Sequence, residues 1–146
     1  DQQKLVQFQT GLRQRLDRLS STGRVLHLGE VKAIEDLMRA ADLLILPSDR
    51  EGVPNVVLEG MASGLPCLLT PFMGLPREEL GDEGRLWKLC QREVHSIGAA
   101  LAELIEDESL RRTMGRAAAQ RAVRLFGLNR TLDDYAALYH ELAGRG

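Results

Sequence analysis

Apolar residues recur at helical spacing at both ends of the chain. Near its start the apolar positions are Leu5, Phe8, Leu12, Leu16 and Leu19. Because these positions are three or four residues apart, they line one face of a helix, and they predict an amphipathic helix over residues 4–19. Further apolar stripes with the same period follow residue 94, and they predict an entirely helical segment over residues 94–142.

Between the helical ends, short apolar runs alternate with helical patterns. The runs predict strands at residues 24–28, 42–46, 67–70 and 85–89, and the patterns between them predict helices at residues 34–41 and 54–62. The run at 42–46 is apolar after its first residue, which is typical of a strand covered on both faces. Strands that alternate with helices predict an α/β fold with a doubly wound parallel sheet.

Composition and charge exclude several classes of protein. The chain of 146 residues is 44% hydrophobic and 27% charged, which is typical of one globular domain and excludes a disordered chain. Its formal net charge of -2 indicates no nucleic-acid partner. No apolar run approaches the length of about 18 residues that a membrane span needs. Cys67 and Cys90 have no neighbouring Cys or His pattern, so they predict no disulfide or zinc site and favour the cytoplasm.

The segment after the second predicted strand carries the candidate chemistry. The helix that begins at Pro54 is apolar on nearly every side, and its polar positions Asn55, Glu59 and Ser63 share one face because they are four residues apart. An unpaired carboxylate in a buried helix is costly. We therefore expect Glu59 to be bound either by a protein donor, such as an arginine, or by a hydroxyl of a ligand.

Two further features of this segment favour a ligand. The helix begins beyond the carboxyl end of the 42–46 strand, at the edge where open parallel sheets bind ligands. The backbone amides of Asn55, Val56 and Val57 are expected to be free donors at the positive end of the helix, which is typical of an anion site. Gly52 would let a ligand approach the backbone closely.

Glu51 and Glu59 flank these amides. Glu51 precedes the predicted helix and lies on the loop. Because carboxylates accept hydrogen bonds, the pair could hold sugar hydroxyls on either side of a bound diphosphate. The alternative is that Glu51 is a solvated loop residue and that Glu59 pairs within the protein, and the residues by themselves leave both interpretations open.

The stretch DLLILPSDREGVPNVVLEGMASGLPCLLT, residues 42–70, resembles the C-terminal, nucleotide-sugar-binding domain of retaining GT-B glycosyltransferases of family 4, the glycosyl transferases group 1. Glu51 and Glu59 match the two glutamates of that family, with seven residues between them. The frame around them also matches: Pro-Ser after an apolar strand, then E-G-x-P-N, then a helix that ends in small-x-G-x-P. RVLHLG and FGLNRTLDDYAALYHELAG extend the resemblance over about residues 4–142.

The resemblance implies a Rossmann-like sheet and a role for each matched residue. Glu51 is the implied catalytic residue and would bind hydroxyls of the transferred sugar, while Glu59 would bind the ribose. Backbone around residues 53–57 would meet the sugar and the diphosphate, and the loop at residues 29–31 would lie along the base. The implied donor-binding residues are Gly29, Val31, Gly52, Val53, Pro54, Asn55, Val56, Val57 and Glu59.

The resemblance also implies a reaction and partners. A sugar would pass from a nucleotide-diphosphate sugar to a glycan, lipid or small-molecule acceptor, with retention at the anomeric carbon and with no metal or other cofactor. The expected partners are the nucleotide sugar and an N-terminal, acceptor-binding domain of the same longer chain. Peripheral contact with the inner face of a membrane is compatible with this function, but nothing in the sequence indicates it.

Two departures from the family pattern qualify these expectations. The Arg and Lys that clamp the diphosphate in the family belong upstream of anything matched here, so we expect residues 1–146 to form a single, partial domain that is inactive alone and binds its donor no tighter than high micromolar. In the stretch that follows Pro71, Glu78 or Glu79 comes one or two places later than the family's turn glutamate. The alternatives are a non-catalytic, glycosyltransferase-like interaction module and a nucleotide-sugar epimerase.

Overall fold

Helices and three short strands alternate along the chain in the computed structural model, which describes residues 2–52, 54–73 and 77–144, without the side chain of Glu79. The elements are α1 (Gln2–Ser20), α2 (Ile34–Ala40), β1 (Leu44–Leu46), α3 (Asn55–Ala62), β2 (Cys67–Leu69), α4 (Arg77–Leu80), β3 (Trp87–Leu89), α5 (Val94–Glu106), α6 (Glu108–Phe126) and α7 (Leu128–Ala143). Contacts between residues divide the chain into two units, Asp1–Ala33 and Ile34–Gly146, which are described separately.

The first unit contains α1 and an extended segment. The predicted amphipathic helix is confirmed, although every apolar side chain that defines its stripe is at least partly exposed. The hydroxyl of Thr22 donates to the carbonyl of Leu19 at 2.6 Å and ends the helix. The strand predicted at residues 24–28 is wrong, because these residues form no strand. A strand exists only beside a hydrogen-bonding neighbour, and the described part of this unit holds no other strand.

The second unit is built on a parallel sheet in the order β1-β2-β3. Leu44 of β1 is in register with Cys67 of β2, which in turn is in register with Trp87 of β3. Because successive side chains of a strand point to opposite faces, the apolar strands supply two separate cores. The fold is the predicted α/β doubly wound arrangement, with each strand shorter than its apolar run.

The two cores lie on opposite faces of the sheet. On one face α3 and α6 pack against alternate strand positions that include Cys67, Leu69 and Trp87. On the other face α5 and the first half of α6 pack around Leu68 and Met114. The fully buried position of Leu68 explains why a strand with no polar alternation is stable here, since both of its faces are covered.

Glycines allow α3 to lie close to its neighbours. A Cβ at Gly60 would stand 2.7 Å from Cδ2 of Leu44, so α3 approaches β1 without a side chain between them. A Cβ at Gly115 would collide with the carbonyl oxygen of Gly64, so the backbone of α6 touches the turn that ends α3. Gly64 itself has a φ of +80°, a conformation that glycine adopts readily at the end of a helix.

The remaining predictions differ from the structure in their boundaries. Helix α3 begins at Asn55, with Pro54 in the capping position before it rather than in the first helical position. The short helix α4 was not predicted. The helical segment after residue 94 is confirmed, and it is divided into three helices at Asp107 and Gly127. Asp107 caps α6 by accepting a hydrogen bond from the amide of Leu110 at 2.8 Å.

Candidate functional site

The loop between β1 and α3 lies at the carboxyl end of the parallel strands. Pro47 directly follows the last residue of β1, and residues 47–52 lead toward the first turn of α3. This is the edge at which open α/β sheets bind ligands. Glu51 and Gly52 therefore lie at the expected edge, while Val53 lies outside the described residues.

The first turn of α3 is partly closed by its own backbone. The amides of Val57 and Leu58 both donate to the carbonyl of Pro54, at 2.8 and 3.3 Å. The side chain of Val57 is fully buried in the core, and Pro54 is buried as well. The expectation that the Val57 amide is a free donor is therefore wrong, because a tight first turn satisfies it within the protein.

Two amides of the same turn remain available for a ligand. Those of Asn55 and Val56 have no acceptor among the residues that the structure describes. The first amides of a helix lack partners within the helix and carry its partial positive charge of about half a unit. Asn55 is exposed, whereas Val56 is half-buried and packs against the core. An anion at this turn would therefore meet two backbone donors.

The two glutamates present free carboxylates on either side of this turn in the sequence. Glu51 is half-buried and Glu59 is exposed, and neither side-chain carboxylate forms a hydrogen bond or ion pair with a described residue. The expectation that Glu59 is a buried charge in need of a partner is wrong, because Glu59 is exposed. The face that carries Asn55 and Glu59 is open to solvent, so Glu59 keeps its hydration and can accept hydrogen bonds from a ligand.

Sequence reasoning missed the residues that hold the loop in place. Thr70 directly follows β2 and is 1% exposed, and its hydroxyl donates to the carbonyl of Ser48 at 2.6 Å. The amide of Met73 donates to the carbonyl of Asp49 at 3.4 Å. Arg92, which follows β3, forms an ion pair with the carboxylate of Asp49 at 2.9 Å. The one available signal was a polar threonine at the end of the apolar run CLLT.

The predicted base-binding residues lie in the first unit. Gly29 is exposed and has a φ of +61°, with open space where a Cβ would stand. This conformation explains why a glycine occupies the position. Val31 is half-buried. A groove of about 630 Å³ runs along α1 in the same unit, and it is lined by residues of α1 and by His27 rather than by Gly29 or Val31.

The cysteines take no part in the site. Cys67 and Cys90 are both free and buried. Burial raises the pKa of the Cys67 thiol to about 12, so it stays protonated and unreactive near neutral pH. Within residues 2–52, 54–73 and 77–144, no three His, Cys, Asp or Glu side chains are grouped so that they could hold a metal ion.

Comparison with known protein families shows the family of the chain. The profile of the family described as glycosyl transferases group 1 matches residues 8–121. The chain belongs to this family. The match includes the whole segment from β1 to the start of β3, and with it Glu51, Glu59 and the first turn of α3.

Curated relatives agree with this membership. The chain is 31% identical over 120 residues to N-acetyl-alpha-D-glucosaminyl L-malate synthase of Bacillus anthracis, covering 82% of the chain and 31% of the relative. It is 30% identical over 122 residues to UDP-Gal:alpha-D-GlcNAc-diphosphoundecaprenol alpha-1,3-galactosyltransferase of Escherichia coli, covering 82% of the chain and 30% of the relative. The chain therefore spans about a third of the length of these relatives.

Solved structures share the fold. Anabaena Alr3699/HepE in complex with UDP superposes with a TM-score of 0.80 at 26% identity, covering 90% of the chain and 36% of that protein. A glycosyltransferase from Rickettsia africae ESF-5 superposes with a TM-score of 0.81 at 17% identity, covering 96% of the chain and 38% of that protein. Among the described helices, none is long and apolar enough to cross a membrane.

Proposed function

We propose that the chain is the donor-binding half of a retaining glycosyltransferase, which moves a sugar from a nucleotide-diphosphate sugar to a glycan, lipid or small-molecule acceptor. The observation that carries the proposal is the turn at the start of α3. Among the described residues, two amides of this turn have no acceptor and the carboxylates of the two flanking glutamates have no partner. Membership of the glycosyl transferases group 1 supports the reaction class, and the UDP held by Anabaena Alr3699/HepE supports a nucleotide ligand.

Each group at this turn has a distinct task in the proposed reaction. The amides of Asn55 and Val56 donate to the diphosphate, whose negative charge grows as the bond to the sugar breaks. Donors that are already aimed at this charge stabilise the transition state more than the ground state. Glu59 accepts hydrogen bonds from the ribose hydroxyls. Glu51 accepts hydrogen bonds from the transferred sugar and orients its anomeric carbon, and no metal or other cofactor takes part.

The acceptor enters from a second domain. We infer that an N-terminal domain of the same longer polypeptide binds the acceptor and that upstream Arg and Lys side chains neutralise the diphosphate. The amides contribute only about half a positive charge, while a diphosphate diester carries two negative charges. The 146-residue chain alone is therefore inactive.

We assign the protein to the cytoplasm, which agrees with its two free cysteines.

Substitution of the glutamates in the full-length polypeptide tests the proposal. Glu59→Gln is expected to raise the donor KM about tenfold or more, because hydrogen bonds to charged groups contribute roughly 1.5–3 kcal/mol. Glu51→Ala is expected to lower kcat/KM by at least a similar factor. Glu35→Gln makes the same charge change on the exposed face of α2 and serves as the control.

Three results would contradict the proposal in different ways. Unchanged transfer by Glu51→Ala removes Glu51 from the donor site. Failure of the wild-type protein to bind any of UDP-, GDP- and ADP-sugars indicates a non-catalytic module. Turnover of the donor without an acceptor, giving an epimeric sugar nucleotide, indicates an epimerase.

A further inference from the structure

We propose that Thr70 is a positioning residue for the donor site, which holds the loop between β1 and α3 so that Glu51 meets the transferred sugar. The inference rests on the proposed function, because it names the residue that orients Glu51. Thr70 belongs to neither the loop nor α3. It directly follows β2, the neighbouring strand.

Two hydrogen bonds fasten Thr70 to the chain that leaves β1. Its amide donates to the carbonyl of Leu46 at 3.3 Å, which extends the β1–β2 ladder by one step. Its hydroxyl donates to the carbonyl of Ser48 at 2.6 Å, two residues farther along. Thr70 therefore holds both Leu46, the last residue of β1, and Ser48, the second residue of the loop.

The bonds continue along the loop toward Glu51. The amide of Met73 donates to the carbonyl of Asp49, and Met73 also forms a parallel bridge with Arg50. The hydroxyl of Ser48 donates to the carbonyl of Arg50 at 3.2 Å. Three consecutive loop residues are thus tied down, and Glu51 is the next residue. Because the hydroxyl of Ser48 also holds Arg50, a shift of Ser48 reaches the residue that precedes Glu51.

Burial distinguishes Thr70 from an ordinary core residue. It is 1% exposed, and among the residues that the structure describes it is the one polar residue that is buried. A buried hydroxyl lowers stability unless it is hydrogen-bonded, and a valine would have the same shape and would prolong the apolar run of β2. The hydroxyl is therefore unnecessary for packing, and the contact that it makes is the one to the donor-site loop.

The test uses Thr70→Val, Thr70→Ser and the control Thr131→Val in the full-length polypeptide. Thr131 also donates its hydroxyl to a backbone carbonyl, that of Gly127 at 3.4 Å, but it is exposed at the start of α7. The donor is whichever of the UDP-, GDP- and ADP-sugars binds the wild-type protein most tightly by titration calorimetry. Thr70→Val is expected to raise its Kd about tenfold, because the released loop must be ordered again when the donor binds, at a cost similar to that of the lost hydrogen bond. Thr70→Ser, which keeps the hydroxyl, should restore the wild-type Kd within about twofold.

A readout without ligand separates positioning from general destabilisation. Amide hydrogen exchange of residues 48–52 is expected to be about tenfold faster in Thr70→Val, whereas exchange within α5 stays unchanged, because only the loop loses its tie. In a Glu51→Gln background Thr70→Val should change the Kd by less than twofold, since the group that Thr70 orients is already altered.

The outcomes distinguish failure of the positioning role of Thr70 from failure of the proposed donor-binding function. If Glu59→Gln raises the Kd and Thr70→Val leaves it unchanged, the positioning role is wrong and the donor site stands. If no variant changes the Kd, or the wild-type protein binds none of the UDP-, GDP- and ADP-sugars, the proposed function fails and the inference fails with it. Should Thr70→Val not fold, Thr70→Cys replaces it, because a thiol fills the position but donates only weakly, and the same criteria apply.

Discussion

Replacement of Gly115 by alanine tests the close approach of α6 to the turn that ends α3. A Cβ at this position would lie 2.9 Å from the carbonyl carbon of Gly64 and collide with its oxygen, whereas ordinary contacts begin near 3.4 Å. The obstacle is backbone on both sides, so no side chain can rotate out of the way. The two segments must separate, and a gap of about 0.5 Å already forfeits a quarter or more of each contact's attraction.

The magnitude follows from two opposing effects. Alanine favours a helix over glycine by about 1 kcal/mol, while overpacking costs about 1–3 kcal/mol. Gly98 in α5 supplies the matched control, because no atom lies within 4 Å of its added Cβ. Gly98→Ala is expected to stabilise the protein, and Gly115→Ala should be less stable than Gly98→Ala by about 1–3 kcal/mol, since the helix preference cancels between them.

Urea unfolding followed by circular dichroism measures this difference in the free energy of unfolding. Thermal unfolding measures it as well, because a difference of 1 kcal/mol shifts the melting temperature by roughly 2–4 °C or more for a chain of this size. Equal stabilisation by Gly98→Ala and Gly115→Ala would refute the reasoning, because it would mean that α6 and the Gly64 turn are not in backbone contact.

The remaining predictions concern charge and ligand binding. The pKa of Cys67 is raised from 9.0 to about 12, so its protonated thiol favours the folded state below pH 9. That contribution to the free energy of unfolding is lost as the pH rises toward 12, by about 1.4 kcal/mol per pH unit. Cys67→Ala should therefore flatten the dependence of stability on alkaline pH, and an unchanged dependence would contradict the burial of the thiol. Titration calorimetry of the 146-residue chain is expected to give no donor Kd tighter than high micromolar, and low-micromolar binding would show that the cationic clamp is not required.

The periodicity of apolar residues predicted most elements because it places apolar side chains on one face, whether that face is buried, as in α5, or exposed, as in α1. The run at 42–46 predicted a strand covered on both faces, but every residue of β1 is only half-buried. The run at 67–70 predicted a short apolar strand, and β2 is fully buried from Cys67 to Leu69. The same logic failed at residues 24–28, where an apolar run has no strand beside it in its unit. A strand is a property of a pair of segments, and a local pattern describes only one of them.

The candidate site shows a similar division. The positions of Glu51, Gly52 and Asn55 around the helix start after Pro54 were readable because the loop and helix are contiguous in sequence. Whether the Val57 amide is free and whether Glu59 is buried were misjudged. Both depend on three-dimensional surroundings: one on the tight turn at Pro54, the other on which side of α3 faces the sheet.

By itself the sequence determined most of the helices and strands, the parallel sheet and the segment that carries the candidate chemistry, since all three follow from local spacing of apolar and polar residues. Only the tertiary structure decided which groups are available to a ligand. Thr70 and Ser48 are 22 residues apart, and their hydrogen bond exists because β1 and β2 lie side by side. Such contacts between distant segments, which fix the loop before α3, leave no periodic signal in the chain.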